Sequence, residues 1–398
     1  MIRALRERFN REFTPARYAA YVAGLERRCG SPIPFRLSET PCFLPGDLLG
    51  SMIQASHDLV AQLLESGDYR AAADAAVPPA FRLTRGETLP TYLQIDFGLV
   101  GVMRGGQRVI EPRLVELQAF PSLYAFQLAM GDASTDCYGL SGVTPLLGDL
   151  TRDQYLALMG RALLNGHDPA EVVLMEIDPV RQKTWPDFAL TEQLWGIRAI
   201  DVRDVIRDGN RLMYRRDGAL TRIARIYNRV IPDELERLAV ELPFDYRDDL
   251  DVEWTGGPDW FFRISKFSLP WLHHPWVPQT QFLNDLAVLP PDRGNWLLKP
   301  LFSFAGGGII FDPSDADVAA IPARERQLYV LQERVEFTPV IDTPHGPTKI
   351  EVRIMLVRDG AIYRAVLPLV RMGRGKMMGV DFNKGQAWVG ASAGLAVV

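Results

Sequence analysis

"TYLQIDFGLV", residues 91–100, and "RVIEPRLVELQAFPS", residues 108–122, decide how this chain is read. Both runs have strand character, and "GVMRGGQ" between them is a glycine- and arginine-bearing turn, so together they predict a hairpin. In the second run Val115, Leu117 and Ala119 form one apolar face, while Glu116 and Gln118 share the other and Pro121 ends the strand. Asp96 can face them from the first strand. Such a trio is either a solvated edge or a set of hard oxygen ligands for a divalent cation. Buried without a cation, it would be costly.

The pattern to either side is mixed. Residues 1 to about 75 read mostly as helix, and "SLYAFQLAMG" at 122–131 reads as a helix with Ser122 as its cap. From about 150, helices ("TRDQYLALMGRALL", "FALTEQLWG", "DELERLAVEL") take turns with strands ("EVVLMEIDP", "IRAIDVRDV", "RLMYRR", "ARIYNRV"), which is the parallel α/β pattern. From about 258 the chain reads as α+β, with later strands "KIEVRIMLV" and "AIYRAVLPLVRM". No internal repeat or low-complexity tract is present.

Composition narrows the function classes. With 398 residues, 47% hydrophobic and 23% charged, the chain is an ordinary globular protein of two or three structural units. A net charge of -5 gives no global basic field, so a duplex nucleic-acid partner is not expected. No apolar run of about 18 residues suggests a membrane span. Cys29, Cys42 and Cys137 are too few and too scattered for a disulfide framework or zinc site, and a cytoplasmic location is expected.

Several motifs can carry chemistry. "NWLLKPLFSFAGGGIIF", residues 295–311, places Lys299 ahead of Gly306, Gly307 and Gly308. Such glycines let backbone N–H groups approach a phosphate, and the lysine adds a fixed positive charge. A flexible hairpin tip is the alternative. It is neither a P-loop nor a dinucleotide fingerprint. Lys266 precedes this hairpin. Gln332 and Glu333 end the apolar strand "YVLQERVEF", at a position suited to an adenine edge or simply to solvent, with Glu336 in reach of a ribose. Glu351 and Arg353 share a strand face. Arg371, Arg374 and Lys376 lie in a cationic glycine-bearing stretch able to close over phosphates, or merely solvated.

In this order the motifs resemble the ATP-grasp superfamily, and the Asp96-Phe97 and Glu116-Leu117-Gln118 runs ahead of the lysines resemble its circularly permuted members, of the glutathionylspermidine synthase kind. The resemblance implies an α+β and α/β architecture: a permuted ATP-grasp fold with a small parallel α/β domain of the pre-ATP-grasp type. It places a helical segment and the metal-binding lobe at 1–150, the α/β domain at 151–257, and the nucleotide lobe with its phosphate-covering loop at 258–398. It implies ATP and Mg²⁺ as cofactors, with Asp96, Glu116 and Gln118 as metal ligands. Lys266 and Lys299 would meet the α- and β-phosphates, Gly306–Gly308 the β/γ region, and Gln332, Glu333 and Glu336 the nucleoside. Arg371 and Asn383 would be catalytic, with Ser122 and Arg229 on the substrate side. The implied reaction is carboxylate–amine ligation through an acyl phosphate, on small-molecule or peptide substrates. A kinase and a degenerate, non-catalytic nucleotide-binding protein are the alternatives. Gln118 stands where the family has asparagine. Gln94 stands where it has an arginine, leaving that cation to Arg104, Arg108, Arg113 or the 371–376 stretch.

Overall fold

The anticipated hairpin forms. In the computed structural model, which describes residues 2–303, 306–383 and 385–397, strands Tyr92–Arg104 and Gln107–Gln118 pair antiparallel. Asp96 lies opposite Glu116, and Gln94 opposite Gln118. The alternation expected at Val115 does not hold. Phe97 pairs with Leu114 while Asp96 pairs with Glu116, so Val115 is the extra residue of a bulge. Leu114 and Leu117 are fully buried and Val115 only half-buried. A bulge bends its strand and re-aims neighbouring side chains, here Glu116.

This hairpin is one edge of a seven-stranded sheet completed by the end of the chain. Strand Lys349–Asp359 pairs antiparallel with Tyr92–Arg104, setting Arg353 opposite Asp96. Strand Ile362–Gly373 follows, with Arg371 opposite Glu351 and Leu369 opposite Arg353, and Gly390–Val397 sets Ala391 opposite Arg371. Cys42–Leu44 closes the far edge in parallel. Leu93, Ile95, Phe97, Ile350, Val352 and Ile354 bury one face of the sheet under helix Gly46–Glu65, whose Leu49, Met52, Leu59 and Leu63 pack there. Burial of this kind contributes about 1.5–3 kcal/mol per side chain. By strict alternation, Gln94, Asp96, Glu351 and Arg353 occupy the opposite face.

Between residues 172 and 255 four parallel strands, Val172–Glu176, Arg198–Asp201, Arg225–Asn228 and Glu253–Thr255, form a second sheet. "RLMYRR" does not join it. Arg211–Arg216 belongs to an antiparallel three-stranded sheet with Ile206–Asp208 and Ala219–Ile223. The cause is local: Asp217 and Gly218 both have positive φ, the two-residue turn that twists with a hairpin. The expected helix at 233–242 is only Pro232–Arg237, ending before Ala239, which adopts a left-handed conformation. Ser122 is not a helix cap either. Helix Tyr124–Tyr138 starts after a left-handed Leu123, and Asp187 accepts from its first amides, at 3.2 Å from Leu123 N and 2.8 Å from Phe126 N.

A four-stranded antiparallel sheet runs Thr280–Phe282, Tyr329–Glu333, Trp296–Pro300, Ile310–Phe311. Trp296, Leu298 and Leu331 pack its own small core. Leu297 and Lys299 alternate with them and so, with Gln332 opposite Leu297, face the other way. No helix among the described residues is long and apolar enough to cross a membrane.

Candidate nucleotide and substrate site

The polar faces of the seven-stranded and four-stranded sheets line one cavity of about 410 Å³. From the first come Asp96, Glu116, Gln118, Lys349, Glu351, Arg353 and Arg371; from the second, Leu297, Lys299, Phe311 and Gln332. Gly306, Arg334, Glu336 and Lys376 also line it, and Lys266 enters from the segment after strand Glu253–Thr255. Lysines and arginines outnumber carboxylates in this lining by two to one, a field suited to a polyanion.

On the floor, the Asp96 carboxylate is buried under two guanidinium groups. Arg353 donates to it through Nε (2.5 Å) and Nη2 (2.6 Å), and Arg371 through Nη2 (2.6 Å). Burial raises the Asp96 pKa, but Arg353 and Arg371 overcome this and hold it below the usual carboxylate range. Arg353 also donates from Nη1 to Gln94 Oε1 at 2.7 Å, and Gln94 donates to the Ser122 carbonyl at 2.8 Å. The Gln118 amide lies 2.9 Å from Gln94 Oε1, and with its oxygen turned toward Arg353 it accepts from Nη1 at 3.0 Å and Nη2 at 3.2 Å. The cations beside Asp96 are therefore Arg371, from the 371–376 stretch, and Arg353, while Arg104 and Arg113 bond Glu111 and Arg108 bonds Thr338. The pattern Lys349-x-Glu351-x-Arg353, three charges on one strand face, was the available signal for Arg353.

Glu351 lies 2.6 Å from Arg371 Nη2, yet its Oε1 is buried without a hydrogen bond of proper geometry. Burial, with Asp96 and Glu116 nearby, pushes its carboxyl up to about 7, against the pull of Arg371. Glu116 is more open, 4.0 Å from both Lys266 Nζ and Arg353 Nη2. On the opposite wall Lys266 donates to the Ser303 carbonyl at 2.7 Å, and Lys299 donates to Gln332 Oε1 at 2.5 Å. Burial drives the Lys299 pKa down to about 8, with Glu116 opposing and Lys266 reinforcing the shift. Gln332 is 1% exposed and its Nε2 has no partner, so an unspent donor stands beside the lysine.

The structure thus gathers Asp96, Glu116, Gln118, Lys266, Lys299, Gly306, Gln332, Glu336, Arg371 and Ser122 around one space. It does not bring the others there. Asn383 is consumed by its own loop, accepting from Arg374 N at 3.1 Å and donating to Met377 O at 3.0 Å and Gly379 O at 3.1 Å. Arg229 lies behind the wall, its guanidinium 4.9 Å from the Phe120 ring and 5.5 Å from that of Phe188. Glu333 is exposed, on the strand side away from Gln332. Gly307 and Gly308 lie outside the lining.

Among the described residues no group of three or more histidines, cysteines, aspartates or glutamates is arranged to hold a metal ion. Asp96 has both oxygens committed to arginines, so its expected role as a ligand gives way to that of an anchor. Glu116 and Glu351 fit a magnesium ion better: one is open, the other has a buried, poorly satisfied oxygen. Magnesium takes one or two carboxylates and completes its shell with water and phosphate oxygens.

No protein-family model matches the chain, and no curated protein matches it. Among solved structures it is similar to a glutathione synthetase-like effector from Globodera pallida in its apo form, with 12% identity, a TM-score of 0.58 and 96% of each chain covered. The likeness establishes a mixed α+β fold of the glutathione synthetase-like kind.

Proposed function

We propose that the chain has a circularly permuted ATP-grasp architecture and is an ATP-dependent ligase that joins a carboxylate to an amine. The observation that carries this reading is the convergence of Lys266, Lys299 and the unpaired Gln332 Nε2 on one wall with Glu116, Glu351, Arg353 and Arg371 on the other. Lys266 and Lys299 would bind the α- and β-phosphates, Gln332 the adenine edge and Glu336 the ribose. Bound magnesium, held by Glu116 and Glu351, would neutralise charge on the transferring phosphoryl group. The substrate carboxylate attacks the γ-phosphorus and the bond to the ADP oxygen breaks. The amine then attacks the acyl carbon, and phosphate departs as the amide forms. Such chemistry needs positioning and charge neutralisation more than an acid–base pair. Arg353 and Arg371, fixed by Asp96, suit the oxygens of the phosphoryl and acyl-phosphate groups.

Calorimetry with Mg-ATP tests the binding; absence of heat at millimolar nucleotide would overturn the reading. Free phosphate released only when both carboxylate and amine are present marks a ligase, whereas a phosphorylated hydroxyl marks a kinase. The arginine clamp on Asp96 and the glutamine at position 118 favour a second reading, a nucleotide-binding protein without turnover. ATP bound with no phosphate released across broad acid and amine panels would establish it.

A further inference from the structure

The cavity does not stop at its charged centre. Beyond the Gln94–Gln118 pair it continues toward the start of helix Tyr124–Tyr138, and there the lining turns apolar: Phe35, Leu123, Phe126, Met130 and Leu369. Phe35 packs edge-on against Phe126 with ring centroids 5.4 Å apart. Leu369 pairs in register with Arg353, and Ala391 with Arg371, so the apolar floor adjoins both guanidinium groups. The helix start offers no seat for an anion, because Asp187 already accepts from Leu123 N and Phe126 N. Lys183 lines this end but is itself partnered.

One polar atom interrupts the apolar wall. Gln127, 1% exposed, lines the cavity and donates from Nε2 to the Pro368 carbonyl at 2.9 Å. Its Oε1 is buried with no hydrogen-bond partner. A buried acceptor of this kind is satisfied by a donor brought by a ligand.

We infer that this end of the cavity seats the carboxylate substrate, and that the substrate is a small acid with an aromatic or branched aliphatic body and an N–H donor, an apolar α-amino acid being the simplest member. Its carboxylate meets Arg353 and Arg371, its side chain lies among the apolar residues, and its nitrogen donates to Gln127 Oε1. A strongly acidic or very small amino acid leaves the apolar wall unfilled and is disfavoured. The inference rests on the nucleotide-dependent reading above.

Calorimetry on the full chain tests it, using phenylalanine, leucine, glutamate and glycine, each with and without a non-hydrolysable ATP analogue. Phenylalanine and leucine are expected to bind at least tenfold more tightly than the other two (~1.4 kcal/mol). Gln127→Leu should weaken phenylalanine about tenfold while leaving 3-phenylpropanoate, which lacks the N–H, unchanged. Should that variant fail to fold, Phe35→Asp at the half-buried rim should weaken phenylalanine and 3-phenylpropanoate together. Equal or tighter binding of glutamate or glycine, or no binding of any of the four, overturns the inference. Phenylalanine bound without any binding of the analogue would leave the apolar seat standing and remove the nucleotide reading. The converse would remove only the seat.

Discussion

The two walls of the cavity are charged in different ways. On the seven-stranded sheet, Asp96, Arg353, Arg371 and Glu351 answer one another across three adjacent strands. On the four-stranded sheet, Lys299 donates to an amide oxygen rather than to a carboxylate, its pKa is pushed down to about 8, and Gln332 keeps an unpaired donor. On the first wall Asp96 is fully answered by its two arginines, while Arg371 Nε and Glu351 Oε1 still lack hydrogen-bond partners; on the second, the lysine has no carboxylate bonded to it. A buried charge network that closes on itself supports structure, whereas one that does not close points to a ligand.

The largest effect should come from opening the closed wall. Asp96→Ala leaves two guanidinium groups facing each other in a buried site, and denaturant unfolding should show a loss of about 3–5 kcal/mol. A loss below 1 kcal/mol would mean that the network is wetter than its geometry implies. On the open wall, Lys299→Met should leave the melting temperature nearly unchanged or higher. It should weaken ATP by roughly 2–3 kcal/mol, about thirty- to 150-fold, in calorimetry.

Glu351 sharpens the contrast through pH. Its folded pKa, about 7, lies above the ordinary value of 4.5, so the folded state holds an extra proton between these limits. Its contribution to stability is present below 4.5 and is lost as pH rises through 7, by up to about 3 kcal/mol. Glu351→Gln should flatten that slope in urea titrations from pH 4.5 to 7.5. Lys299 acts with the opposite sign on binding and on stability. Its ammonium is lost above about pH 8 in the free protein, so ATP affinity should fall as pH rises from 8 to 9.5, by up to tenfold per unit. Between 8 and 10.5 the unfolded chain binds more protons, so stability rises with pH over that window. The smallest effect belongs to the exposed pair Arg104–Glu111 on the hairpin, where Arg104→Ala should change neither melting nor nucleotide binding measurably.

The contrast between the walls was only partly legible in the sequence. Lys299, Gln332, Asp96 and Glu116 could be found because each sits in a short local pattern whose strand period fixes its direction. Arg353 was visible as a residue but not as the partner of Asp96, because 257 residues separate them and only sheet pairing brings them together. Asn383 and Arg229 failed for a related reason. A polar side chain can be claimed by neighbouring backbone or by an aromatic ring, and local spacing does not record that competition. The bulge at Val115 was hidden too, since an inserted residue leaves no compositional mark.

The place of strand Lys349–Asp359 has a consequence for synthesis. This strand lies between Tyr92–Arg104 and Ile362–Gly373, so the central sheet is finished only by a stretch that emerges after some 350 residues. Until then the long, largely buried strand Tyr92–Arg104 waits on the ribosome with one edge unpaired, open to other chains. A ribosome stalled near residue 345 would hold a product lacking Glu351, Arg353 and Arg371 together. The arginines that answer Asp96 and the strand that pairs with its edge are thus supplied by one late stretch of the chain.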